Sequence, residues 1–168
     1  PYTHANQLHQ LSFIIRVLRT HSKRPSMFLI GPSASDLVIL ASYVCHYRIV
    51  HQEHNESFSA FTDHFTELCM EAGTKDTKLI YFVNLVNCSN EVLAILNDYI
   101  SSGDITSMLS PDQMSAAITL MQAKLVMEGV PFNKRSAMAM FLRQTRRNLR
   151  VVLHLPDKMR NEDRIIAL

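Results

Sequence analysis

A chain of 168 residues that is 47% hydrophobic and 19% charged has the size and composition of one folded domain with a real core, which excludes a disordered tail. Its formal net charge of +2 is too small to argue by itself for nucleic acid or an anionic membrane. No apolar run approaches the roughly 18 residues that a membrane helix needs, and the opening PYTHANQLHQ lacks the basic and apolar regions of a secretory leader. Cys45, Cys69 and Cys88 are odd in number, widely spaced and set in apolar segments, which suits buried reduced thiols of a cytosolic protein better than a disulfide framework. The chain opens on Pro1 and closes on the apolar 165–168 without a polar tail, so we expect a piece of a longer polypeptide.

Leu8, Leu11, Ile15 and Leu18 recur at helical spacing and predict an amphipathic helix over 6–20, ended by 22–25. Met27–Ile30 is a short apolar strand, 31–35 is small and turn-prone, and 36–43 resumes a helical pattern. A second strand is expected at 48–51. Asn55 is the expected cap of a helix whose Phe58, Phe61, Phe65, Leu68 and Ala72 share one face, with Gly73 as its stop. That aromatic stripe is the pattern of a helix packed on a sheet. The continuous apolar run at 78–83, KLIYFV, marks a central strand covered on both faces. Helices follow from Ser89 to Gly103 (Val92, Leu93, Leu96, Tyr99 and Ile100 inward) and from Ser110–Pro111 onward (Met114, Ile118, Met121 and Leu125 inward). Gly129–Asn133 turns into a helix over 134–148 that buries Met138, Phe141, Leu142 and Thr145, and 149–155 is the fourth strand. Strands alternating with helices predict an α/β sandwich with a mostly parallel sheet.

The strand, loop and helix over 26–38, SMFLIGPSASDLV, have the layout of a phosphate-binding loop, G-x-x-x-x-G-K-[ST]. Counted from Gly31, Asp36 stands at the second glycine, Leu37 at the lysine and Val38 at the hydroxyl residue. Asp36 would also repel phosphate at the helix start. A P-loop ATPase carries an Asp for the Mg²⁺ shell and often a Glu for the attacking water at the tip of a second strand; here that tip is VNLVN, with Asn84 and Leu85 at those places. The fourth strand should end in a polar residue facing the γ-phosphate, and Pro156 lies near that position. These residues lead us to expect nucleotide-binding architecture without hydrolysis, with no cofactor assigned and bound ATP or ADP with Mg²⁺ disfavoured.

Three segments, FIIRVLRTHSKRPSMFLIGPSAS, LIYFVNLVN with VLAILNDYISSGDITSML, and MFLRQTRRNLRVVLHLPD, carry a resemblance. Over most of its length the chain resembles an AAA+ module of a dynein heavy chain, most closely the fourth module of the motor ring. The most specific part is Leu96 to Ile105, where the family has Leu-x-N-x-L/I and then S/N-G-E/D-I/V after the Walker B strand. The resemblance implies an AAA+ large α/β subdomain over 1–168, part of an ATP-driven microtubule motor of cytoplasm, cytoskeleton or cilium. Its degenerate Walker A set would be Gly31, Asp36, Leu37 and Val38, its degenerate Walker B pair Asn84 and Leu85, and its sensor-1 position Pro156; only Gly31 keeps the family identity. Arg160 and Arg164 would match the family's later basic region. The implied partners are neighbouring AAA+ modules of the same chain, with microtubules and dynein subunits met through the parent chain.

Other readings compete. Cys45, His46, His51 and His54 are close in sequence, but zinc sites want compact repeated spacings, and polar groups at loop edges account for them. His4, His9 and His21 flank the first helix and suggest solvated side chains. Arg143, Arg146, Arg147 and Arg150 would share one helix face; without interleaved aromatics this favours a solvated face or a contact between ring neighbours over nucleic acid. Ser33 and Ser35 lack the glycine context of a hydrolase elbow. Two alternatives to a non-hydrolysing link remain: a regulatory module that still holds ATP through the Gly31 loop backbone, and a free-standing α/β protein-interaction domain.

Overall fold

The computed structural model describes residues 2–20, 26–52 and 57–155; of Tyr2–Ala5 and Asn87 only the backbone is described. Three sequence expectations lie outside them: the stop at 22–25, the cap at Asn55 and the tip residue Pro156; so do His21, His54, Arg160, Arg164 and the side chain of His4. The described elements are α1 (Tyr2–Arg19), β1 (Ser26–Ile30), α2 (Ala34–Cys45), β2 (Arg48–His51), α3 (Phe58–Thr74), β3 (Leu79–Asn84), a 3₁₀ turn (Leu85–Asn87), α4 (Asn90–Ser102), α5 (Pro111–Met127), α6 (Lys134–Asn148) and β4 (Leu149–Leu155). All strand pairings are parallel, in the order β1-β4-β3-β2. The two inner strands are those buried on both faces, and both are mostly apolar, as such burial demands.

Side-chain alternation divides the core in two. Ile80, Phe82 and Val152 face α1 and α2 and pack with Ile14, Leu18, Leu37, Val38 and Ala41. Leu79, Tyr81, Val83, Val151 and Leu153 face the opposite layer, α3 to α6, with Phe61, Phe65, Leu96, Met121 and Phe141. That second layer leaves β1 uncovered: Phe28 and Ile30, on its far face, are 39% and 58% exposed.

Helix ends follow local chemistry. Ser89 caps α4 by accepting from Val92 N–H, and Gly103 closes it in the left-handed conformation at φ +66°. Ser110 and Gln113 form a capping box at α5, and Asn133 with Ser136 another at α6.

Several expectations are corrected. The α3 cap is Ser57, which accepts from Ala60 N–H, and the helix runs through Gly73 to Thr74. Gly73 is there because α6 comes so close: a Cβ would collide with the Phe141 ring and the Thr145 hydroxyl. Leu8 and Phe58 are exposed, outside the buried stripes of α1 and α3, whereas Ile14 is buried. Arg143, Arg146, Arg147 and Arg150 do not make one face. Arg143 pairs with Glu128, Arg146 donates to the carbonyls of Leu142 and Ser102, and Arg150 belongs to β4 and is buried. The three cysteines are buried and form no disulfide among the described residues.

Candidate functional site at the strand tips

The connections after β1 and β3 leave the sheet on opposite faces, to α2 and to α4, which makes the carboxyl tip of β4 between them the topological switch point of the sheet. This is where parallel α/β sheets place ligands. Gly31 ends β1 with φ +117°, a conformation that favours glycine, and a Cβ there would meet nothing, so backbone geometry alone requires the residue. Its N–H donates to Leu155 O at 2.8 Å, and its carbonyl accepts from Ala34 N–H at 3.3 Å. The same carbonyl lies 2.9 Å from His154 Nε2, which as the protonated nitrogen donates to it. His154 is buried, tilted against Phe82 at 5.1 Å between ring centroids, and opposite Asn84 in the sheet register.

The loop is therefore a tight turn. α2 starts at Ala34, two residues before the expected Asp36, and Ser33 at its N-cap makes no side-chain cap bond. Asp36 is exposed in the first helical turn. Leu37 and Val38 point into the α1–α2 core, at 8% and 0% exposure. Asn84 accepts from Val86 N–H through Oδ1 at 3.1 Å and so caps the 3₁₀ turn, while Leu85 is buried in the α3–α6 core. The amide thus satisfies local backbone, and the strand tip presents no carboxylate.

A cavity of about 340 Å³ adjoins the Gly31 turn, bounded by His9, Gln10 and Phe13 of α1, by Phe28–Ile30 and by 31–34 and Leu37. The structure brings Gly31 and Leu37 to this cavity and places Asp36, Val38, Asn84 and Leu85 elsewhere. Sequence reasoning missed His154, although a polar residue at an inward register of an apolar strand was a usable signal. Nothing local marked His9, Gln10 or Phe13, because their role depends on where α1 packs. Cys45 and His46 close α2, and His51 ends β2 three residues beyond its start; among the described residues no three metal-ligating side chains cluster.

Fold and turn together define the class: a parallel α/β domain of P-loop type, an AAA+ large subdomain. The family described as P-loop containing dynein motor region D4 matches residues 4–165, and the chain belongs to it. It is similar to human dynein axonemal heavy chain 2, at 27% identity over 161 residues, 90% of this chain and 4% of the relative. It is similar too to human dynein axonemal heavy chain 1 (24% over 150 residues, 85% of this chain, 4% of the relative). The flagellar outer-arm dynein beta chain of Chlamydomonas reinhardtii is 24% identical over 126 residues, 73% of this chain and 3% of the relative. The chain spans about 3 to 4% of the length of these relatives.

Proposed function

We propose that this chain is a non-hydrolysing AAA+ module of a dynein-type microtubule motor heavy chain, a structural and allosteric link that transmits motion between neighbouring modules of the same ring. The carrying observation is that the positions of the phosphate-binding lysine and the Mg²⁺-binding hydroxyl, Leu37 and Val38, are core residues. Hydrolysis also needs a metal-shell carboxylate, and Asn84 offers an amide already engaged by Val86. A module with those groups missing can still carry force through its packed layers. The names of the axonemal relatives support a cytoskeletal, ciliary location, with microtubules and other dynein subunits met through the rest of the heavy chain. No helix among the described residues is long and apolar enough to cross a membrane.

One observation favours a second reading, a nucleotide-responsive regulator: the 340 Å³ cavity beside the Gly31 turn has room for a nucleobase. Calorimetric titration of the folded chain with ATP and ADP, each with Mg²⁺, decides between them. The structural link gives no heat and no thermal shift. Micromolar binding that is lost when Phe13 or Ile30 is changed to Asp replaces it with the regulator.

A further inference from the structure

The amino ends of the strands, opposite the Gly31 turn, hold a second cavity of about 370 Å³. Its lining includes Arg19 from the end of α1, His46 and Tyr47 after α2, Lys78 before β3, Arg147 near the end of α6, and Arg150. Among the described residues no carboxylate lines it. Arg150 is 1% exposed, a charge removed from water without an acidic partner among the described residues. Its terminal nitrogens donate to main-chain carbonyls that end two helices, Leu18 (3.4 Å) and Thr20 (3.0 Å) beside α1 and Arg146 (3.3 Å) in α6. Its Nε–H has no partner among the described residues.

Helix C-termini attract cations, and this accounts for the Arg150 terminal nitrogens. It leaves the remaining charge unanswered. Arg19, Lys78 and Arg147 are exposed, and none is in an ion pair among the described residues; Lys78 lies over the Tyr47 ring at 5.8 Å. The nearby acids are engaged elsewhere, Glu71 with Arg48 and Asp76 with the Asn148 amide at 2.8 Å. The segment 21–25 that follows α1 has no acid in its sequence. Four cationic side chains around one cavity suit a dianion with several acceptor oxygens better than a single carboxylate.

We propose that this cavity is an anion site for a phosphate group, held by Arg19, Lys78 and Arg147 and favoured by the charge of the buried Arg150 guanidinium beside them. The volume exceeds that of one phosphate, so the group belongs to inorganic phosphate or to the phosphoryl end of a small ester. The site lies across the sheet from the Gly31 turn and stands independently of the function proposed for that end.

The test is titration of the ¹⁵N-labelled chain with inorganic phosphate and with glycerol phosphate, at constant ionic strength set with chloride. Saturable shifts at His46, Tyr47, Lys78 and Arg147, with Gly31–Ala34 unmoved, are expected. Tighter binding of the ester identifies the phosphoryl end of a small molecule, and tighter binding of phosphate identifies the free anion. The exposed pair Lys78→Gln and Arg147→Gln leaves the melting curve in place and weakens binding about tenfold or more, the loss of a charge-assisted hydrogen bond or two. Arg150→Met is a second variant whose folding is checked separately. Shifts that chloride reproduces, or binding that the double variant leaves unchanged, overturn the proposal.

Discussion

Replacing Gly73 by alanine puts one methyl group where α3 meets α6. In an open helix this exchange stabilises by about 0.5–1 kcal/mol, because glycine loses more backbone freedom on folding. Here the new Cβ would overlap the Phe141 ring and the Thr145 hydroxyl, both on fully buried residues. Neither can retreat freely: Phe141 lies in the α3–α6 core, and Thr145 Oγ1 is within bonding distance of the carbonyls of Phe141 (3.0 Å) and Cys69 (3.3 Å). Overpacking of this kind costs about 1–3 kcal/mol. The clash outweighs the propensity gain, and a net loss of about 1–2 kcal/mol lowers Tm by roughly 2–8 °C at this chain length. Circular-dichroism melts and urea titration of Gly73→Ala measure it, and Phe141→Leu in the same chain should recover part of the loss through coupling between touching sites. A Gly73→Ala chain as stable as the parent, or more so, refutes the close-packing argument and restores Gly73 as an ordinary helical glycine.

Leu37→Lys alone creates no ATPase activity, since Asp36, Val38, Asn84 and Leu85 also lack the required groups; a phosphate-release assay that finds robust Mg²⁺-dependent turnover defeats this. Phe65→Asp abolishes the cooperative melting transition, because the ring is wholly buried within 5.4–5.7 Å of Phe61, Tyr81 and Tyr99. Phe82→Asp does the same, and an unchanged Tm in either variant would move that ring to the surface. His154→Phe removes the hydrogen bond to Gly31 O, lowers stability by about 1 kcal/mol, and shifts the amide resonances of 31–34; unmoved resonances show that the turn holds without it. Burial raises the Cys69 thiol and the Tyr99 hydroxyl above their ordinary values of 9.0 and 10.0. Both stay protonated in the folded chain while the unfolded chain ionises, so their stabilising contribution is complete below about pH 9 and falls as pH rises further. Urea midpoints that decline from pH 8 to pH 11, less steeply in Cys69→Ala, are expected.

Much of this protein was determined by sequence alone, where the governing interactions are local. The periodicity of 134–148 and the apolar run of 149–155 place α6 and β4 at their observed bounds, and Ser89 with Gly103 brackets α4. The absence of lysine, hydroxyl and carboxylate at Leu37, Val38, Asn84 and Leu85 needs only a count along the chain from Gly31. Tertiary structure decided what depends on which elements touch. Gly73 has the sequence signature of a helix stop, yet the approach of α6 makes it an interior contact. Arg150 has the spacing of a basic helix face, yet the helix ends at Asn148 and β4 turns the side chain into the core beneath α1. Both cavities join residues far apart in sequence, His9 with Leu37 and Arg19 with Arg147. Periodicity records which side of an element is apolar; which partner covers that side, and how closely, is set by packing across the sheet, where burial and sterics override local preference.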